Sequence, residues 1–273
     1  MNSLHRAVQL LAVLCFAGSA ALAPAAEEAP KPYVPTEGQA GKDVVWVPTP
    51  HALVEKMLDL AKVTERDFVM DLGSGDGRNI IAAAKRGARG LGVEYNQDMV
   101  ELARRGAEKE GVADKAQFVQ GDMYEVDISK ANVLALFLLP ENLERLKPKF
   151  LELQPGSRIV LNAFDIPEWT ADATERADGD CGAWCTAHLY IVPAKVNGTW
   201  KMSAGELTLQ QKYQTVSGSL FANGKRTPIK DGKLKGDRIT FTVGSITYVG
   251  RVDGNAMKGR MKGAAAGMWT AIR

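Results

Sequence analysis

A short stretch with glycine at every second position carries the clearest chemical signal in this chain of 273 residues. Residues 68–79 read FVMDLGSGDGRN, in which Asp71 ends an apolar run. Three glycines follow it: Gly73, Gly75 and Gly77. Glycines in such a turn let the backbone approach a ligand that lies across the end of the preceding strand. The pattern predicts a strand, a glycine turn and a helix that bind a nucleotide-like molecule.

The glycine spacing narrows the class of ligand. A dinucleotide fingerprint requires G-x-G-x-x-G, whereas here the third glycine comes one residue early and Arg78 follows it. A phosphate-binding P-loop would need Gly-Lys-Ser/Thr after the turn, and the chain has no such triplet there. The pattern D-x-G-x-G-x-G instead resembles the first motif of the class I methyltransferases, which use S-adenosyl-L-methionine.

Acidic residues stand at the ends of the next two predicted strands. Residues 90–93 (GLGV) end at Glu94, and residues 116–120 end just before Asp122. Because parallel strands place their carboxyl ends at one edge of a sheet, both acids should lie beside the glycine turn. We expect Glu94 to accept hydrogen bonds from both ribose hydroxyls and Asp122 to lie near the adenine amino group.

The elements that must position these residues alternate between helix and strand. An apolar stripe predicts a helix before the first strand, with Thr49 as N-cap and Pro50 at its first position. A wholly apolar strand at 133–139, a helix that begins at Pro140 and a strand within 157–164 follow. This alternation predicts an α/β fold with a doubly wound, Rossmann-like class I methyltransferase sheet.

The pattern changes around residue 185. Residues 187–196 and 199–204 flank the turn Asn197-Gly198 and predict a hairpin, which we assign to the sixth and seventh strands of that sheet. Beyond it, short alternating runs predict a small antiparallel β meander of about five or six strands. The predicted domains are thus 45–205 (methyltransferase) and 206–273 (β domain).

The N-terminal residues have the features of an export signal. Arg6 precedes an apolar run, and Ala23-Pro24-Ala25 has the form of a cleavage site, so residues 1–25 are predicted to be a signal peptide and 26–44 an exposed lead-in. An uncleaved anchor would also export the body, and a mitochondrial presequence would need more arginine. We expect an exported, periplasmic protein.

Charge is distributed unevenly along the chain. Residues 26–200 hold 20 Lys/Arg against 28 Asp/Glu, and residues 201–273 hold 13 against 4. The basic C-terminal part could meet an anionic envelope surface, or it could dock on the acidic domain beside it. Because the protein is expected to be exported, we expect no nucleic-acid partner. The sequence does not define an oligomeric state.

Two cysteines remain after the predicted cleavage site. Cys181 and Cys185 lie in CGAWC, and an even pair so close together in an oxidising compartment favours a disulfide. Two free thiols, or a zinc site that includes His188 but lacks a clear fourth ligand, are the alternatives. We therefore expect no metal.

Several motifs together resemble the ATP synthase c-subunit lysine N-methyltransferase family. They are VPTP (47–50), DLGSGDGR (71–78), GARGLGVEYN (87–96), GDMYEVDIS (121–129), the strand end at Pro140 and FDIPEW (164–169). The resemblance implies a protein-lysine N-methyltransferase. It also implies which residues bind S-adenosyl-L-methionine: Asp71, Gly73, Ser74 and Gly75 at the methionine end, Glu94 at the ribose, and Tyr95, Asp122 and Met123 at the adenine.

The acceptor is less well defined by sequence. Glu141, Phe164 and Trp169 fall where acceptor contacts should lie, although a helix first turn and core aromatics would look the same. Methyl transfer demands no single base, so no catalytic residue is assigned. A small-molecule O- or N-methyltransferase, and a non-catalytic envelope binding module on the same scaffold, remain open.

Overall fold

The computed structural model describes residues 33–179 and 181–273. The predicted signal peptide at 1–25 and the first residues of the lead-in lie outside the described residues. Tyr33–Arg273 form one compact unit that contains two separate sheets. Among the described residues, no helix combines the length and the apolar character that crossing a bilayer requires.

The first sheet has seven strands in the order β3-β2-β1-β4-β5-β7-β6. Strands β1 to β5 are parallel, whereas β7 runs antiparallel to both β5 and β6. Their bounds are Phe68–Leu72, Arg89–Glu94, Ala116–Gln120, Val133–Leu136, Arg158–Asn162, Ala173–Arg176 and Thr186–Ile191. The predicted α/β class and the class I methyltransferase sheet are confirmed.

Four helices cover the two faces of this sheet: α1 (His51–Leu60), α2 (Arg78–Lys85), α3 (Gln97–Lys109) and α4 (Pro140–Phe150). Apolar residues of α1, α2 and α3 share one core, and those of α4 pack into a second core on the opposite face. Burying both faces explains why β1 and β4 are almost wholly apolar. Loops at the carboxyl ends of the strands are left free to form a site.

The predicted start of α1 is wrong in one respect. Pro50 is the N-cap residue and no side chain caps the helix. The Thr49 hydroxyl instead accepts a hydrogen bond from the Asn162 side-chain amide at 3.2 Å. Thr49 therefore ties the start of α1 to the end of β5.

The second sheet is a closed barrel of eight antiparallel strands. Strands β8 to β15 follow one another along the chain, and β15 closes onto β8. Their bounds are Gly198–Met202, Gly205–Lys212, Thr215–Ala222, Lys225–Lys235, Arg238–Val243, Ile246–Asp253, Ala256–Gly263 and Gly267–Ile272. A separate apolar core fills the interior, with Trp200 and Phe241 fully buried.

Three sequence predictions about this region need correction. The hairpin at 187–204 supplies only one strand of the first sheet: its first segment contains β7, whereas its second segment is β8, which pairs with β9 and β15 of the barrel. The sixth strand is β6, a short and mostly exposed segment that carries no apolar alternation. The boundary predicted after residue 205 falls within the first hairpin of the barrel, which has eight strands rather than five or six.

Candidate cofactor and acceptor site

A cleft at the carboxyl ends of β1, β2 and β4 brings the predicted cofactor residues together. Eight of them line it: Asp71, Gly73, Ser74, Gly75, Glu94, Tyr95, Asp122 and Met123. Residues 39–44 of the lead-in and residues 45–49 after it also line this cleft, and the sequence analysis assigned neither stretch to the cofactor site. The composition of residues 39–44 does not distinguish them from an exposed linker, whereas residues 47–49 belong to the VPTP motif.

The glycine turn is tied to the neighbouring strand. The amides of Gly73 and Ser74 donate hydrogen bonds to the Val93 carbonyl at 2.8 and 3.0 Å. Gly77 has a φ of +81°, and a Cβ at this position would lie 2.6 Å from the Phe118 ring. Glycine is required there because both the backbone conformation and the close ring exclude a side chain.

Glu94 is held in place by two backbone donors. The Gly75 amide donates to its Oε2 at 2.9 Å, and the Asn96 amide donates to its Oε1 at 3.0 Å. Each carboxylate oxygen has more than one lone-pair direction, so both can still accept a further hydrogen bond. The two backbone hydrogen bonds therefore fix the position of the carboxylate, and each of its oxygens can still accept a hydrogen bond from a hydroxyl of a diol.

Asp122 forms an ion pair across the cleft with the lead-in. Lys42 Nζ donates to Asp122 Oδ2 at 2.5 Å and lies 5.0 Å from the centroid of the Tyr95 ring. The Tyr124 amide donates to the other carboxylate oxygen at 2.8 Å. The Lys42 hydrogen bond first, and then the Tyr124 amide, lowers the pKa of Asp122. Asp122 is thus held ionised at the end of the cleft where adenine is expected.

Asp71 occupies the opposite, buried end. Its carboxyl is 3% exposed and accepts a hydrogen bond from Asn79 Nδ2 at 3.0 Å, and the same nitrogen lies 3.2 Å from the Ala135 carbonyl. Burial raises the pKa of Asp71 well above its ordinary value, and the Asn79 hydrogen bond offsets only part of that rise. A cationic ligand group beside Asp71 would favour its ionised form.

The residues of the cleft fit S-adenosyl-L-methionine. A carboxylate with two spare acceptor positions suits a ribose diol, and the 53% exposed ring of Tyr95 offers a face for adenine. The Ser74 hydroxyl is buried without a hydrogen-bond partner among the described residues. When bound, this cofactor supplies a methyl group made electrophilic by its positive sulfur.

Phe137 lines the cleft and packs against two further aromatic rings, and we call the three together the aromatic wall: Phe137, Phe164 and Trp184. Their ring centroids lie 5.2 to 6.1 Å apart. Phe137 follows β4 and also lines the cleft, so the wall is continuous with the cofactor site. All three side chains are half-buried. Sequence analysis found Phe164 but missed Phe137, inside an apolar run, and Trp184, in a loop far along the chain.

A strained turn presents Phe164 to this wall. Ala163 has a φ of +61°, and the Phe164 amide donates to the Asn162 carbonyl across it at 2.7 Å. Non-glycine residues with positive φ are uncommon and tend to occur at functional sites. The turn ends β5 abruptly and directs the chain across the carboxyl edge of the sheet.

The other two acceptor candidates do not join the wall. Trp169 is 2% exposed and packs in the core between Tyr190 and Tyr213. Its prediction as an acceptor contact is wrong, because the indole is buried against Tyr190 of β7 and Tyr213 in the turn after β9. Glu141 is exposed on the first turn of α4 and does not line the cleft. It acts as an acid at a helix N-terminus, where a negative charge is favourable.

Cys181 and Cys185 are joined by a disulfide, with their Cα atoms 5.2 Å apart. The bond excludes the zinc alternative for these two sulfurs. His188 is the third ligand in that alternative. Its Nδ1 instead lies 3.1 Å from Thr174 Oγ1 and 3.4 Å from Asp165 Oδ1. Across residues 33–179 and 181–273, no three His, Cys, Asp or Glu side chains are grouped as metal ligands.

Comparison with known proteins finds methyltransferases that are similar to the part of the chain that forms the first sheet. Residues 71–173 match the model of the ANTKMT methyltransferase domain. A protein-lysine N-methyltransferase of Saccharolobus islandicus (strain REY15A) is 43% identical over 55% of this chain and 94% of that protein. The ATP synthase c-subunit lysine N-methyltransferase of Rattus norvegicus is 34% identical over 56% of this chain and 65% of that protein.

A solved structure agrees with the fold and the cofactor. It is an RNA methyltransferase from Salinibacter ruber in complex with S-adenosyl-L-homocysteine, 43% identical, with a TM-score of 0.51 over 55% of this chain and 96% of that chain. The family match ends at residue 173, before the barrel begins. The chain belongs to the S-adenosyl-L-methionine-dependent class I methyltransferases, in the family that includes the protein-lysine and ATP synthase c-subunit lysine N-methyltransferases.

Proposed function

We propose that this chain is a protein-lysine N-methyltransferase. The observation that carries the proposal is the continuity of the cofactor cleft with the aromatic wall through Phe137. Half-buried rings suit the methylene chain and the ammonium group of lysine. The relatives named as protein-lysine N-methyltransferases support the same acceptor.

The reaction needs positioning more than acid–base catalysis. The lysine nitrogen displaces the methyl group in line with the carbon–sulfur bond, so holding the two reactants aligned supplies much of the rate. The nitrogen must be unprotonated when it attacks, and apolar surroundings lower the pKa of an amine. The aromatic wall would provide those surroundings, and the proton leaves to solvent.

An RNA acceptor is the second candidate. The Salinibacter ruber structure is described as an RNA methyltransferase at the same 43% identity as the Saccharolobus islandicus protein. The cationic groups for an RNA backbone would have to come from the barrel side, because residues 201–273 hold 13 Lys/Arg against 4 Asp/Glu, whereas residues 26–200 hold more acidic than basic residues. A small-molecule acceptor would use the same cleft and wall.

Label transfer separates these acceptors. The pure protein is incubated with tritiated S-adenosyl-L-methionine and a bacterial envelope extract, in parallel with total RNA from the same cells. We expect label in protein, with mono-, di- or trimethyllysine identified by mass spectrometry. Label only in RNA would establish the second candidate, and label only in the small-molecule fraction would establish a small-molecule methyltransferase.

We also propose that the protein is exported and acts in the envelope. The apolar N-terminal run with its Ala23-Pro24-Ala25 site supports export, and an exported basic domain could bind anionic lipid. Fractionation of the cells that make the protein tests the location. Co-sedimentation with vesicles of anionic and of neutral lipid tests the surface, and equal binding to both would exclude it.

A further inference from the structure

We infer that the Cys181–Cys185 disulfide holds Trp184 in place as one side of the lysine-binding channel, so that acceptor binding depends on the redox state of this pair. The inference rests on the proposed lysine acceptor. It assigns to the CGAWC segment, which lies beyond the family match, a part in substrate binding.

The loop is anchored at both ends. Cys181 and Cys185 are each 4% exposed and pack in the same core as Ala177 and Ala187. The Trp184 amide donates to the Cys181 carbonyl at 3.0 Å, and the Ala177 amide donates to the Cys185 carbonyl at 2.8 Å. The indole therefore projects from a closed ring of five residues that has little freedom to move.

The anchored indole completes the wall. Its centroid lies 5.2 Å from the Phe137 ring in an edge-on arrangement and 5.9 Å from the Phe164 ring. Within the part of the chain that the structure describes, no Lys or Arg side chain is paired with any of these three rings. A cation from another molecule can thus use them without displacing an internal partner.

Location distinguishes this wall from ordinary core packing. Phe137 shares the cleft with Gly73 and Asp71, which sit at the methionine end of the cofactor site. A lysine that lies along the exposed faces of these rings would reach the end of the cleft where the methyl group is expected. If the rings only stabilised the fold, replacing one would lower stability without changing the acceptor concentration needed for half-maximal rate.

Reduction provides a test on the unaltered protein. Dithiothreitol transfers two electrons and two protons to the disulfide, so that the S–S bond breaks, two S–H bonds form, and the reductant becomes a cyclic disulfide. The loop is then held only by its backbone hydrogen bonds and by the packing of the two cysteine side chains, without a covalent link. For protein cleaved after Ala25, which lacks Cys15, we expect intact-mass analysis with alkylation to find no free thiol before reduction and two after it.

The experiment compares wild type, Trp184→Ala, Trp184→Phe and the double variant Cys181→Ser/Cys185→Ser. Label transfer to lysine is measured against the concentration of envelope-extract protein, and cofactor affinity is measured by calorimetric titration. We expect Trp184→Ala to raise the half-saturating extract concentration roughly tenfold, with cofactor affinity within about twofold of wild type. Trp184→Phe should stay close to wild type because it keeps a ring.

Reduction should raise the half-saturating extract concentration of wild type. The serine double variant should have a raised value without reductant, and reduction should not change it. Equal half-saturation for wild type and Trp184→Ala would overturn the inference while the lysine function stands. Loss of cofactor binding in Trp184→Ala together with no effect of reduction on wild type would assign the loop a purely structural role. Absence of label on lysine with wild type would overturn the proposed function and, with it, this inference.

Discussion

The indole of Trp169 stacks on the ring of Tyr213, with centroids 5.3 Å apart and planes inclined by 7°. Trp169 belongs to the segment that follows β5, and Tyr213 lies in the turn between β9 and β10 of the barrel. Next to this stack, Gln214 Nε2 donates to the Thr170 carbonyl at 2.6 Å. The barrel therefore supports the same chain segment that carries Phe164.

We expect Trp169→Ala to act on stability rather than on acceptor binding. Removing a fully buried indole should lower the free energy of unfolding by about 3–5 kcal/mol, because it leaves a cavity between the two sheets. Urea unfolding measures the change. Label transfer at a temperature where the variant stays folded should show an unchanged half-saturating acceptor concentration.

Tyr213→Ala and Tyr213→Phe serve as matched variants. A double-mutant cycle of Trp169→Ala with Tyr213→Ala isolates the ring–ring contribution, which we expect to be about 0.5–1.5 kcal/mol, and Tyr213→Phe, which keeps the ring, is the control. A selective rise in the acceptor concentration required by Trp169→Ala would restore Trp169 to the acceptor site and contradict the packing described above.

The predicted cofactor residues all line one cleft, whereas the predicted acceptor residues do not lie together, for a physical reason. Turn glycines and strand-end acids are local signals, because their positions follow from the register of neighbouring parallel strands. The aromatic wall combines residues from three distant segments, and Trp184 reaches it only through β7 and its preceding loop. In the sequence, Trp169 and Phe164 are both aromatic residues that follow the fifth strand, so nothing local separates them. Trp169 is buried by contacts with the barrel, which lie far along the chain.

The barrel was predicted only in outline. Alternating short runs with Asn-Gly and Asp-Gly turns gave antiparallel strands, but closure depends on β15 meeting β8 across about 70 residues. Thr199 to Met202 also fit an edge strand of the first sheet equally well by pattern. Only the pairing with β9 and β15 decides between the two sheets.

Loss of the Glu94 carboxylate should weaken cofactor binding strongly. Glu94→Ala removes the predicted ribose contacts and also releases the Gly75 and Asn96 amides, so we expect a loss of about 2–4 kcal/mol in affinity. Calorimetric titration with S-adenosyl-L-methionine measures it, and Glu108→Ala on the exposed face of α3 is the control. Equal affinity of Glu94→Ala and wild type would show that the assignment of this acid is wrong.

Lys42 should compete with the cofactor for Asp122. Its ammonium already occupies one carboxylate oxygen, so removing it frees the acid predicted to meet adenine. We expect Lys42→Ala to bind S-adenosyl-L-methionine about two- to fivefold more tightly at low salt, with a smaller difference at high salt because screening weakens exposed pairs. Lys109→Ala is the control. Weaker binding by Lys42→Ala would instead make this lysine a direct part of the cofactor site.

The buried carboxyl of Asp71 should make the fold less stable as pH rises. Its pKa is raised by burial, so between the unfolded pKa of about 3.9 and the higher folded value the native state binds more protons than the unfolded state. Folding stability from this group is therefore complete at low pH and declines as pH increases through that window. A neutral side chain of the same shape would avoid the decline.

Asp71→Asn is accordingly expected to raise stability at pH 7 by about 1–2 kcal/mol and to leave it unchanged near pH 4, where the wild-type carboxyl is itself neutral. The melting temperature of both proteins across this pH range checks the sign, and Asp114→Asn in an exposed turn should show no such divergence. The same variant should bind S-adenosyl-L-methionine more weakly, because a neutral amide cannot balance a cationic group at the methionine end. A gain in stability with a loss of affinity would identify Asp71 as a charge kept buried for binding, whereas a loss of stability at pH 7 would mean that Asp71 stabilises the fold through its hydrogen bond from Asn79.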